Sequence, residues 1–121
     1  MLTFLQGKNL VDDFRKLVEI MARLRANGGC EWDRAQTHET LRQYLVEETH
    51  EVIDAIRGGN PDSLCEELGD LLLQILFHAQ IASENGQFDI ADVIAILAHY
   101  AGLSYEHADG CPPIGSSAHL S

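Results

Sequence analysis

Apolar residues recur at helical spacing from near the start of the chain. Leu10, Val11, Phe14, Leu17, Val18, Met21 and Leu24 fall three or four residues apart, the period of a helix with one buried face. The spacing predicts a first helix over Leu10 to Arg25, capped by Asn9 and ended by Asn27-Gly28-Gly29. A loop is expected from Cys30 to Gln36. A second helix follows Thr37 as N-cap, with Glu39 in the first turn, where the helix dipole favours acids. Leu41, Tyr44, Leu45, Val52 and Ile56 give it an apolar side, and it runs to about Arg57 before Gly58-Gly59. A third starts with Asn60 as N-cap and Pro61 at the first helical position, and runs to about Glu84 before Asn85-Gly86. It is apolar around most of its circumference from Leu68 to Ala82, so it should be the most buried helix and pack against a second chain as well. Asp89 caps a fourth, from about Ile90 to Tyr100.

No alternating strand pattern competes. The expected fold is all-α, an antiparallel bundle of about four helices completed by oligomerisation, with the second and third helices antiparallel across their short link. Residues 1–101 form the helical domain. Residues 102–121, rich in Ser, Gly, Pro and His, read as an irregular tail.

Composition narrows the class. A chain of 121 residues, 45% hydrophobic, suits one domain that buries roughly two-thirds of its unfolded surface. The longest apolar run, Leu71 to Ala82, is broken by Gln74, His78 and Gln80, so no membrane span is expected. Met1 to Lys8 lacks the basic start and apolar core of a signal peptide, and a cytoplasmic protein is the expectation. Cys30, Cys65 and Cys111 form no CxxC pair, which argues for reduced thiols rather than a disulfide framework or structural zinc. The net charge is −11. All eight Lys and Arg lie in the first 57 residues, against ten acids; the remainder carries nine acids and no Lys or Arg. Nucleic-acid binding needs a basic footprint that this chain lacks. An anionic substrate would need metal ions to bridge it to the protein.

Candidate chemistry lies in the acids that interrupt the apolar helices. Glu47-Glu48-x-x-Glu51 sits on the second helix and Glu67-x-x-Asp70 on the third. Residues three apart share a helix face, and like charges there cost an isolated helix roughly 0.2–0.5 kcal/mol per pair. Glu48 with Glu51, and Glu67 with Asp70, can each converge on one point. If the two pairs face each other they make an oxygen-only site for a hard cation such as Mg²⁺, which keeps waters and substrate phosphates in its shell. Linear spacing does not establish that they do. Asp54 could join the cluster's edge, and Glu66 should face solvent or a partner. Glu47-x-x-His50 offers a rival, the ExxH of di-iron bundles. His38, His78, His99, His107 and His119 show no metal spacing.

These blocks resemble a known family. Glu47-Glu48-x-x-Glu51, then Glu67-x-x-Asp70, is similar to the EExxE…ExxD signature of the MazG-type nucleoside triphosphate pyrophosphohydrolases. Gly29-Cys30-Glu31-Trp32-Asp33-x-x-Gln36-Thr37 resembles their GCPWDxxQT segment, Glu67-Leu68-Gly69-Asp70-Leu71-Leu72 their ELGDLL, and Gly86-Gln87-Phe88-Asp89 the loop into their last helix. The likeness spans roughly residues 10 to 98. It implies an all-α fold acting as a homodimer or higher assembly. It also implies Mg²⁺-dependent hydrolysis of a nucleoside triphosphate to a monophosphate and pyrophosphate, with Mn²⁺ as a substitute ion. By the same resemblance Glu48, Glu51, Glu67 and Asp70 are the metal ligands, Glu47 and Glu48 the catalytic acids, and Trp32 a neighbour of the nucleotide. House-cleaning of non-standard nucleotides is the expected role.

One departure bears on activity. The family continues after its last helix with a basic stretch resembling KxxRRHPHVF, which helps to hold the triphosphate. Here His99 to Gly110 takes that place, without a Lys or Arg. Basic contacts must then come from Arg23, Arg25, Arg34 or Arg42, with Arg34 beside Trp32 the first choice, or from another subunit. The alternative is a degenerate, non-catalytic helical oligomer that binds metal or nucleotide.

Overall fold

The computed structural model describes residues 8–106, and among these it contains five helices and no strand. They are α1 (Leu10–Arg25), α2 (Glu31–Ala35), α3 (His38–Gly58), α4 (Pro61–Glu84) and α5 (Ile90–Glu106). The fold is all-α, as the periodicity predicts. Cys111, His107, His119 and the rest of the expected tail from residue 107 lie outside the described residues, as does Met1 to Gly7.

Side-chain caps set the helix starts. Asn9 accepts from the Asp12 backbone N–H at 3.0 Å. Thr37 and Thr40 form a reciprocal capping box, the Thr40 N–H donating to Thr37 Oγ1 at 3.2 Å and the Thr37 N–H to Thr40 Oγ1 at 2.8 Å. Asn60 accepts from Asp62 and Ser63 ahead of Pro61. Asp89 and Asp92 exchange hydrogen bonds of 3.0 Å at the start of α5. Each cap satisfies amides that the first turn leaves without partners.

Two boundaries differ from expectation. The segment expected as a loop holds the single turn α2. Glu31 and Asp33 lie in its first turn, where acids suit the dipole, and Gln36 Nε2 donates to the Trp32 carbonyl at 2.9 Å, extending the coil by one contact. The last helix continues past Tyr100 to Glu106, so residues 102–106 of the expected tail are helical. Between α1 and α2 the chain folds back so tightly that a Cβ on Gly29 would stand 2.4 Å from the carbonyl oxygens of Arg23 and Leu24. Only glycine fits there.

The dominant packing is the antiparallel pair α3 and α4, with α1 laid across α4 and against α2, and α5 touching α4. Met21, Leu41, Phe77 and Ile81 form the core, with Tyr44 against it. Burial on α4 is concentrated in its C-terminal half, from Gln74 to Ala82. Its N-terminal half leaves Leu68 49% and Leu72 38% exposed. Arg25 ties three elements together. Its guanidinium donates to both Glu84 carboxylate oxygens at 2.8 and 3.0 Å, to the Asp33 carbonyl at 2.5 Å and to the Gln36 carbonyl at 3.1 Å. It also lies 5.7 Å over the Phe77 ring. No described helix is long and apolar enough to cross a membrane.

Candidate metal centre

The α3–α4 hairpin turns at Gly59, in the left-handed region with φ 73°. Antiparallel helices of equal rise bring positions equidistant from the turn opposite each other. Glu51 and Glu67 lie eight residues either side of Gly59, Glu48 and Asp70 eleven, and Leu41 and Phe77 eighteen. The structure follows this register. Leu41 and Phe77 meet in the core, and further out His38 and His78 stack at 5.0 Å with their Nδ1 atoms 2.7 Å apart.

The same register gathers three of the four acids, while Glu51 stays exposed beside them. One carboxylate oxygen from each of Glu48, Glu67 and Asp70 lies within 4.8 Å of the others. Glu48 sits above its usual carboxylate range, first because it is desolvated and then because Asp70, Glu51 and Glu47 repel its charge. Glu67 is raised likewise, by desolvation and then by Glu51, Asp70, Glu48 and Glu66. The strongest charge acting on Glu48 is thus Asp70, and on Glu67 it is Glu51, the partners that the register assigns. Among the described residues no Lys or Arg pairs with any of the trio; the ion pairs are Arg15 with Asp12, Arg25 with Glu84 and Arg42 with Glu39.

An oxygen-only donor set, converging from two rigid helices and without a basic partner, fits a hard divalent cation. Glu48, Glu67 and Asp70 form the trio; Glu51 acts on it electrostatically from one turn away, and Glu47 is exposed beside it. His50 and Asp54 are also exposed and belong to no such group among the described residues, so the ExxH pair does not gather a ligand set within this chain.

The other candidates lie toward α2. Trp32 packs edge-on against Tyr44, with ring centroids 5.7 Å apart, and against Phe77 at 6.5 Å, yet remains 51% exposed. Tyr44 is one turn before Glu48 on α3. Arg34 is exposed and donates to Asn27 Oδ1 at 3.0 Å. Arg25, a basic candidate from sequence, is committed to Glu84 and two carbonyls. Arg23 lines a groove of about 700 Å³ with Ile20, Leu24 and Cys30 that includes none of the carboxylates. Sequence reasoning missed Gln74, which is 9% exposed and has an unpartnered Oε1; the register around Gly59 would have placed it opposite Tyr44.

Comparison with known proteins agrees with this geometry. The model of the MazG nucleotide pyrophosphohydrolase domain matches residues 36–100. The chain is 53% identical over 100 residues to the nucleoside triphosphate pyrophosphohydrolase/pyrophosphatase MazG of Thermotoga maritima, covering 83% of this chain and 39% of that protein. It is 50% identical over 99 residues to the nucleoside triphosphate pyrophosphohydrolase of Mycobacterium tuberculosis, covering 80% and 29%. With the protein of that name from Escherichia coli K12 it shares 49% over 93 residues, covering 76% and 35%. The chain thus spans well under half the length of each of these relatives.

Proposed function

This chain belongs to the MazG nucleotide pyrophosphohydrolase family, and on that premise we propose that it hydrolyses nucleoside triphosphates to monophosphates and pyrophosphate with Mg²⁺ held by its acidic centre. The observation that carries this reading is the trio Glu48, Glu67 and Asp70, drawn together from two helices with no Lys or Arg paired to it among the described residues. Glu51 completes the set of ligands. A bound Mg²⁺ or Mn²⁺ would neutralise phosphate oxygens and lower the pKa of a coordinated water.

The chain's own groups supply the rest. The two rigid helices fix the carboxylates before the substrate arrives, so little ordering is left for the moment of reaction. In this reading Glu47, outside the trio, and Glu48 accept the proton of the attacking water at a carboxylate oxygen. Water adds across the α–β anhydride, and the bridging oxygen leaves with one of the two products. Trp32, half-exposed at the edge of the aromatic group, offers a face to the nucleotide base, and Arg34, exposed two residues along the chain, offers a charge for its phosphates.

The enzyme works as a homodimer or larger assembly in this proposal. Ile53 (37% exposed) and Ile56 (59%) on α3, with Leu68 and Leu72 on α4, are exposed apolar residues on the two helices that carry the acids. A second copy would cover them and narrow an open site. A monomer in sedimentation velocity at micromolar concentration would refute the assembly. House-cleaning of non-standard nucleotides in the cytoplasm is the role that suits it.

Pyrophosphate release from a panel of canonical and modified triphosphates, with Mg²⁺ and with EDTA, tests the whole. Release with Mg²⁺ alone is expected. A folded protein that binds Mg²⁺ and releases none would instead be the degenerate, non-catalytic oligomer, having lost the family's basic C-terminal stretch.

A further inference from the structure

Gln74 stands out among the buried side chains. It is 9% exposed, and its Oε1 has no hydrogen-bond partner. A buried acceptor left unsatisfied is a standing cost that an apolar side chain of the same shape would remove. Its position gives that acceptor a use. On α4 it lies one turn beyond Asp70 and two turns beyond Glu67, on the same helix face. Long side chains on a helix lean toward its N-terminus, which for Gln74 is the direction of the turn that carries Asp70. Across the hairpin, equally far from Gly59, is Tyr44, one turn before Glu48. Gln74 therefore occupies the layer directly beneath the three carboxylates, between them and the Leu41–Phe77 core.

Mg²⁺ dehydrates reluctantly and keeps several waters. Those waters spend a lone pair on the ion and present O–H donors outward, so those that face the protein rather than solvent need acceptors beyond the ion's direct ligands. We propose that Gln74 is a positioning residue of the metal centre, its Oε1 accepting a hydrogen bond from a hydration water of the cation held by Glu48, Glu67 and Asp70. This rests on the metal-dependent reading above. The competing occupant is a buried water shared with the Nε2 of His78, one turn further along α4 and also unpartnered. That arrangement would be structural only.

Titrating the full chain with Mg²⁺ alone, without nucleotide, separates the two. In Gln74→Met, Mg²⁺ affinity should fall by roughly tenfold or more, the usual effect of losing an outer partner of a metal site, while the metal-free melting temperature stays level or rises. Gln74→Glu, which restores an acceptor, should recover the affinity. In turnover the loss should appear in the Mg²⁺ concentration required rather than in kcat at saturating Mg²⁺. Wild-type affinity in a folded Gln74→Met overturns the proposal and leaves the metal reading intact. Absence of Mg²⁺ binding by the wild-type chain overturns both. Should Gln74→Met not fold, Gln74→Leu decides by the same titration: a roughly tenfold loss of Mg²⁺ affinity supports the role, and wild-type affinity overturns it.

Discussion

Replacing Arg25 by methionine should unfold the protein more readily without touching its chemistry. The sequence offers Arg25 as a phosphate contact; the structure makes it the clamp between α1, α2 and α4. Its side chain is 8% exposed, and it makes two bonds to Glu84 and one each to the carbonyls of Asp33 and Gln36. Methionine keeps the packing of the stem but removes every donor. Each carbonyl loses a bond worth roughly 1–1.5 kcal/mol. Glu84, at 36% side-chain exposure, returns to water, so its pair is discounted to about 1 kcal/mol or less. The cation–π contact with Phe77 adds roughly 0.5–1 kcal/mol. The expected loss is about 3 kcal/mol, a fall in Tm of more than roughly 10 °C for a domain near this size. Urea denaturation followed by circular dichroism reads it, at fixed protein concentration because assembly would shift the midpoint. Below the new Tm, kcat should match wild type. A loss under about 1 kcal/mol, or a folded variant without turnover, would refute the clamp and return Arg25 to the phosphates.

Two further predictions follow from the charged groups. Glu48→Gln and Asp70→Asn should each abolish pyrophosphate release while leaving the metal-free fold as stable or up to about 1 kcal/mol more so, since each relieves like-charge repulsion in a helix pair; unchanged turnover in both would sink the metal assignment. The histidine pair gives a pH dependence. Burial, then the neighbouring His38, pushes His78 below its ordinary value of 6.5, so the folded state binds fewer protons than the unfolded chain. Its contribution to stability is complete above pH 6.5 and is lost as the pH falls below that toward the folded value. Glu48 and Glu67, raised in the fold, act in the opposite direction, so the test is a difference. Wild type should lose more stability than His78→Asn between about pH 7.5 and about pH 5.5, and parallel curves would refute the effect.

What the sequence made legible was whatever local chemistry decides. The caps at Asn9, Thr37, Asn60 and Asp89 need only three or four residues of context, and all four form. The single turn of α2 escaped because five residues show no helical period. The end of α5 escaped because Gly102 reads as a breaker, while a lone glycine costs a helix only about 1 kcal/mol. Long-range partners carried no local mark. Glu84 lies 59 residues from Arg25 and His78 lies 40 from His38. The acidic site falls between these cases. Spacing alone gave each pair a shared face but not a facing partner. The link at Gly59 supplies the missing constraint, because a short turn between two long helices fixes which positions meet.

That constraint also bears on how a chain so short of basic residues could hold a triphosphate. The trio and Glu51 crowd negative charge into one layer, and the substrate would add about four more charges near neutral pH. Arg25 is spent on the fold, and Arg42 pairs with Glu39 at the exposed start of α3. Among the described residues Arg34 donates to the neutral Asn27, a contact it could exchange for a phosphate. One arginine does not balance such a charge, and Coulomb repulsion between the acids and a bare triphosphate would be several kcal/mol at the effective dielectric of a protein surface. On the proposed reading divalent ions would serve twice over, relieving the carboxylates and carrying the phosphates in. In this chain metal and nucleotide should bind as one coupled event, and the EDTA arm of the pyrophosphate assay should report loss of substrate binding as well as loss of turnover.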